Sequence, residues 1–313
     1  MKDFNLNTNG NDLHVVVLAN AFQLMLFKAY LNKYSIDRKN VIAILLRNID
    51  VTDLADTIIH PKDNKINRFL WKSLSFSMNS LIILMKLKIK RKYFYLYLPW
   101  DNEFGEWLAH SSLCNGFIYL EEGDLSYWSE DVLYRNNEVP KYELKQRRHG
   151  PARKFLFNER AKAVICISKE CFPCFPQSKK IILDDLSLLD DGLDNKLDPD
   201  KVIGVLPSAH RLSDVEIEEI ILTYQEIAGT LTHLKMHPSF EAYPYLKKKI
   251  SQVILEIGLP ELEIIGEEVS LEREMLRNKH HLIGLHSSLE RYAKKFGSRY
   301  TIAEKLTHLQ KER

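Results

Sequence analysis

Residues 202–297 repeat one unit four times: a short apolar run followed by a helical stretch. Val202-Ile203-Gly204-Val205-Leu206, ended by Pro207, leads to a segment whose Ile217, Ile220, Ile221, Tyr224 and Ile227 fall on one helical face. Ser213 and Glu216 have capping-box spacing at its start, and Gly229 is a stop. Residues 232–236 form the next run, before a helix that includes Lys247-Lys248-Lys249. Leu262-Glu263-Ile264-Ile265-Gly266 precedes a short helix over 271–276, and His281-Leu282-Ile283-Gly284 precedes a helix over 288–295 stopped by Gly297. Apolar runs separated by helices pair side by side, as a parallel sheet with crossover connections. Residues 201–300 are therefore expected to form a Rossmann-like domain, with a C-terminal helix over 301–313.

The first half shows the same pattern less regularly. Leu13-His14-Val15-Val16-Val17-Leu18 reads as a strand before a helix over 21–31. Val41-Ile42-Ala43-Ile44-Leu45-Leu46, Tyr93-Phe94-Tyr95-Leu96-Tyr97-Leu98, Phe117-Ile118-Tyr119-Leu120 and Ala163-Val164-Ile165-Cys166-Ile167 continue the series. A first α/β domain over 1–175 follows. The aspartate-rich stretch 176–200, with apolar runs too short for a domain of their own, reads as a linker. The expected fold is α/β, two Rossmann-like domains facing one another across a cleft, with ligands at the carboxyl ends of the strands.

Several function classes are disfavoured. The chain has neither GxGxxG nor GxxxxGK[ST], which argues against dinucleotide redox and P-loop chemistry. With 44 basic and 42 acidic residues the net charge is +2, too little for nucleic-acid binding through a bulk field. No signal peptide or bilayer-length apolar stretch is visible, so a cytoplasmic protein is expected. Residues 81–92 grade from apolar to basic and would suit peripheral contact with an anionic leaflet, or a core helix with a solvated end. Arg147-Arg148-His149 and Arg153-Lys154 suit an anionic acceptor or a solvated loop. Cys171-Phe172-Pro173-Cys174 has CxxC spacing but no second motif for a metal, and reads as small hydrophobes in a turn.

Three clusters stand where strands end. Glu121-Glu122-Gly123-Asp124 follows a strand directly. Adjacent acids there suit a general base, because mutual repulsion and partial burial raise one pKa; a solvated acidic turn is the plainer reading. In Lys235-Met236-His237-Pro238 a strand hands over to a helix, with Pro238 at the first helical position. Lys235 and His237, two apart, share a strand face and suit a phosphate and a proton donor, although a lone strand-end histidine is commonly structural. In His286-Ser287-Ser288 the hydroxyls and first helical amides would cradle a phosphate. Ser287 and Glu290 also have capping-box spacing, which explains the pattern without a ligand.

The order acid-acid-Gly, K-x-H-P, Ser-Ser resembles that of the bacterial sialyltransferases with a GT-B fold, which include capsule polysialyltransferases and lipooligosaccharide sialyltransferases. Residues 21–23 after the first strand, and Ala163-Val164-Ile165-Cys166-Ile167-Ser168 with Phe172-Pro173 beyond, resemble the family as well. The resemblance implies an inverting, metal-independent, single-displacement transfer from CMP-sialic acid to a glycan hydroxyl, with no cofactor. It makes Glu122 the base, with Glu121 or Asp214 as substitutes, and His237 the general acid on the phosphate. It gives Lys235, Pro238, Ser287 and Ser288 to the nucleotide. Glu272, in Val269-Ser270-Leu271-Glu272, would meet the ribose, although the family's proline is Ser270 here. CMP-Kdo, a UDP or GDP sugar, or an inactive glycan- or nucleotide-binding protein are the alternatives.

Overall fold

The computed structural model describes residues 12–46, 49, 51, 54, 56–59, 93–99, 108–109, 111–129, 132, 160–190, 192, 195–209, 212, 214–266 and 269–310. The basic stretch 86–92, the clusters at 147–149 and 153–154, Ser213 and the side chain of Asp214 lie outside them. The chain forms two compact units that divide between Asp191 and Gly192.

The first unit is built on a parallel sheet of β1 (Leu13–Leu18), β2 (Val41–Leu45), β3 (Asp56–Ile59), β4 (Phe94–Pro99), β5 (Cys114–Leu120), β6 (Ala161–Cys166) and β7 (Lys180–Ile182). Its spatial order is β3-β2-β1-β4-β5-β6-β7, so the winding reverses between β1 and β4. Helix α1 (Ala21–Lys33) follows β1, and the Asn20 side chain caps it by accepting the Gln23 N–H. Every residue from Phe22 to Leu31 is buried, which is why this helix has no polar stripe. Inside, His14 Nδ1 lies 2.8 Å from the Tyr97 hydroxyl, itself 3.5 Å from that of Tyr30. Burial lowers His14 to a pKa of about 4, so the imidazole stays neutral.

The stretch 176–200 is not a plain linker. Residues 180–182 pair with β6 as the edge strand β7, and Leu183 and Leu189 are buried. An apolar run of three suffices at a sheet edge, because only one neighbour must be satisfied. Cys166 and Cys171 are buried in this unit's core and Cys174 is half-buried, all as free thiols. Burial raises the Cys171 thiol well above its ordinary value, consistent with an inert packing role. Among the described residues, no three His, Cys, Asp or Glu side chains are grouped to hold a metal, and no helix is long and apolar enough to cross a membrane.

The second unit follows the expected repeat. It comprises β8 (Val202–Val205), α2 (Asp214–Ala228), β9 (His233–Lys235), α3 (Pro244–Glu256), β10 (Glu263–Ile265), α4 (Leu271–Arg277), β11 (His281–Gly284), α5 (Ser288–Phe296) and β12 (Arg299–Ile302). All five strands are parallel, in the order β10-β9-β8-β11-β12. Leu246, Ile250, Val253 and Ile254 are the buried stripe of α3. The expected helix over 301–313 is corrected. Residues 299–302 pair with β11 as β12, and a 3-10 helix over Glu304–Gln310 follows. Arg299-Tyr300-Thr301-Ile302 is too short and too mixed to announce itself as a strand; pairing with a formed neighbour supplies what propensity does not.

Candidate functional site

Strand register sets the height of each candidate. In the second sheet Gly284 pairs with Val205, Val205 with Lys235, and Lys235 with Ile265. These four residues form the last common row, so His237 and His286 each stand two residues beyond it. The winding reverses between β8 and β11, and open parallel sheets bind ligands in such a crevice at the carboxyl ends of their strands.

Ser287 and Ser288 lie at that point, where β11 hands over to α5. The capping-box explanation for them fails. Ser287 is the N-cap residue of α5, yet its side chain makes no capping hydrogen bond. Its hydroxyl lies 3.2 Å from the hydroxyl of Tyr300 on β12, which donates to the Leu285 carbonyl at 2.5 Å. Glu290 does not reach back to the cap; its carboxylate lies 3.5 Å from His286 Nδ1. The N-cap side chain thus leaves this helix start uncapped, and its amides and partial positive charge suit an anion.

Gly284 makes this arrangement possible. A Cβ there would stand 2.5 Å from the Tyr300 hydroxyl and 3.3 Å from the Val205 Cβ. Gly284→Ala must displace Tyr300 from Leu285 and Ser287. It is expected to cost about 1–3 kcal/mol as overpacking, read as a lower denaturation midpoint, and to weaken any anion bound at α5.

His237 is exposed and caps the 3-10 helix Pro238–Ala242. Its Nδ1 accepts the Ser239 N–H at 3.1 Å and lies 2.9 Å from the Ser239 hydroxyl. An Nδ1 that accepts puts the proton on Nε2 in the neutral ring. Ser239 in turn holds the loop after β8: its hydroxyl accepts the Ala209 N–H at 2.8 Å and meets the Ser208 hydroxyl at 3.0 Å. Pro238 sits at the first position of the 3-10 helix. Lys235 differs from its neighbour, for it is buried and its Nζ donates to the Gly266 carbonyl after β10. Glu272 lies in the first turn of α4, where its carboxylate accepts the Ser270 hydroxyl at 2.9 Å, while Ser270 caps the helix by accepting the Arg273 N–H. Ser270 thus starts α4 by capping, where a proline would start it through a fixed φ.

In the first sheet the two adjacent acids separate sharply. Glu121 is fully buried. One of its oxygens accepts the Tyr127 hydroxyl at 2.6 Å and the other the Ile167 N–H at 2.8 Å, so it ties the end of β5 to the end of β6. Burial first, then the Glu121 charge, push the Tyr127 hydroxyl far above its ordinary pKa, which keeps it a donor. Glu122 is only half-buried, and its main chain is locked: its N–H donates to Ser126 Oγ at 2.7 Å, and that hydroxyl donates back to its carbonyl at 3.1 Å. Gly123 has φ 50° and ψ −154°, a conformation that only glycine adopts without strain. The turn thus buries one acid and presents the other.

Sequence reasoning assigned no role to Tyr127, Ser239 or Tyr300, which hold the candidates in place. The Ser239 signal was present in its spacing, two residues beyond a helix-capping His237. It also missed Glu274, a buried carboxylate on α4 that accepts the Lys196 and Leu197 N–H groups at 2.9 and 3.1 Å.

No protein-family model matches the chain, and no curated protein matches it significantly. Solved structures do. A Listeria monocytogenes protein assigned as a UDP-N-acetylglucosamine 2-epimerase aligns over 93% of this chain and 79% of its own, with TM-score 0.57 and 9% identity. The UDP-GlcNAc 2-epimerase of Methanocaldococcus jannaschii aligns over 92% and 83%, with TM-score 0.51 and 12% identity. A glycosyltransferase from Rickettsia africae covers 96% and 88% at TM-score 0.43 and 10% identity. The first two carry the comparison, and at such identities they show fold. The chain has the α/β architecture of the GT-B class, two Rossmann-like domains.

Proposed function

We propose that this chain is an inverting glycosyltransferase of the sialyltransferase-like kind. In this reading it moves sialic acid from CMP-sialic acid to a hydroxyl of a glycan acceptor in bacterial surface polysaccharide or lipooligosaccharide synthesis. The observation that carries the reading is the start of α5, where Ser287 and Ser288 adjoin a helix end that the N-cap side chain leaves uncapped. Such an end at a sheet's winding reversal suits the phosphate of a nucleotide sugar. His237 supports it further, since its neutral tautomer carries a proton on Nε2. That proton would pass to the phosphate oxygen as the bond to the sugar breaks, a general-acid step. Glu122 would remove the proton of the attacking acceptor hydroxyl, and its locked main chain holds it ready. Glu121 is better suited to positioning than to proton transfer, because both its oxygens are engaged. Pro238 shapes the turn that His237 caps, and Glu272 stands by for the ribose. Lys235 would serve the nucleotide less directly, from its place on the Gly266 carbonyl.

A second reading keeps the reaction class and changes the donor. The epimerases of similar fold are named for UDP-GlcNAc, so a UDP sugar is the competing choice. Calorimetric titration of the full chain with CMP, UDP and GDP separates them. Selective CMP binding is expected. Selective UDP or GDP binding would replace the donor, and no binding by any of the three would overturn the transferase reading.

A further inference from the structure

The first sheet holds a polar group that the proposed chemistry leaves unused. Gln23 lies in the first turn of α1 and is fully buried. Its Oε1 accepts the Ala19 N–H at 2.7 Å, which fixes which end of the carboxamide is oxygen. The other end, Nε2, has no hydrogen-bond partner among the described residues. A buried amide donor left unpaired costs about 1–3 kcal/mol, and such groups are rare enough in native proteins to need a reason. The neighbours of Gln23 in sequence, Phe22, Leu24 and Met25, are buried and apolar.

Its position supplies a reason. The carboxamide is seated on the turn between β1 and α1, and the winding of the first sheet reverses between β1 and β4. The strand register extends this to Glu122. Val16 pairs with Tyr97, and Tyr97 with Ile118, so β1 and β5 are level. Two residues further on, Leu18 and Leu120 end their strands, and the Ala19–Asn20 turn stands at the height of Glu121 and Glu122. The two turns are two strands apart, about 10 Å. The start of α1, a helix of 13 residues, adds its partial positive charge to the same place.

We infer that Gln23 is a binding group for the sugar acceptor, its Nε2 donating to a hydroxyl or carboxylate oxygen of the sugar whose reacting hydroxyl faces Glu122. This rests on the transferase reading, and it places an acceptor subsite at the carboxyl end of β1. An Nε2 amide is a donor only, so it selects an oxygen that accepts. Bound sugar would give an acceptor to the Nε2 amide, whose two N–H groups have no partner among the described residues, and Gln23 would be retained for that bond rather than for packing.

The test uses the full chain labelled with 15N-glutamine. The side-chain amide resonance of Gln23 is assigned by its loss in Gln23→Glu, a near-isostere that keeps an oxygen for Ala19 and removes the donor. Lactose and N-acetylneuraminate are titrated separately. Saturable movement of the Gln23 resonance is expected: with both sugars if a hydroxyl is bound, with N-acetylneuraminate alone if the carboxylate is. Gln23→Glu should then bind that sugar about tenfold or more weakly, the loss of one buried hydrogen bond, with nucleotide affinity unchanged. Gln23→Met, which also lacks the donor, replaces it if the glutamate variant does not fold. A resonance unmoved by either sugar, or unchanged sugar affinity in the variants, overturns the inference and leaves Nε2 to a water molecule. Nucleotide titration of the same sample keeps the readings apart: sugar binding at Gln23 without nucleotide binding would sink the transferase reading alone.

Discussion

Glu122→Gln is expected to lower the rate of sugar transfer by about 10²- to 10⁴-fold, the range of a lost general base, while nucleotide affinity stays within about twofold of the parent. The main-chain bonds between Glu122 and Ser126 do not involve the carboxylate, so the turn survives the change. Glu121→Gln makes the contrast. Its carboxylate accepts from Tyr127 on one side and from the Ile167 N–H on the other. A carboxamide offers an acceptor to only one of them and turns a donor towards the other. The expected loss is about 1–3 kcal/mol of stability, seen as a lower urea midpoint, with a smaller effect on transfer. The experiment measures kcat, nucleotide affinity and the urea midpoint for both variants. A full loss of turnover in Glu121→Gln, with Glu122→Gln active, would exchange the roles of the two acids.

The second large effect is expected at His237. His237→Ala removes the Nε2 proton and also the cap that accepts the Ser239 N–H. Turnover should fall by about 10²-fold or more, and the helix cap contributes about 1 kcal/mol of stability. His237→Asn separates these, because an asparagine oxygen can still accept from Ser239. Its expected signature is near-normal stability with turnover still lost. A donor carrying a better leaving group should restore more of the rate in His237→Asn than in the parent, since it needs no proton. Equal stimulation of both would assign His237 to capping alone.

Much of this arrangement is legible from residue order, and what is missed has definite physical causes. The second sheet is readable because each strand is a near-continuous apolar run bounded by helix signals. His281-Leu282-Ile283-Gly284 coincides with β11, and Gly297 stops α5 in a left-handed conformation. β7 and β12 are not readable, because three or four residues at a sheet edge gain their order from a neighbour rather than from their own pattern. The candidate site divides in the same way. Acid-acid-Gly and K-x-H-P announce residue types at strand ends, but not which acid is buried. That distinction depends on Tyr127 and Ile167, six and 46 residues from Glu121. The Ser287–Glu290 spacing promises a capping box, yet Tyr300, 13 residues beyond Ser287, holds the hydroxyl instead. Local pattern proposes the partner and tertiary contact decides it.

That contact also orders events during synthesis. The Tyr300 hydroxyl, which props the Leu285 carbonyl and meets Ser287, comes from a strand translated after α5. A nascent chain that has completed α5 holds both serines but lacks the prop that shapes their loop. Affinity for an anion there would therefore mature late, when β12 docks against β11, so a partly made domain would not compete with the finished protein for that anion.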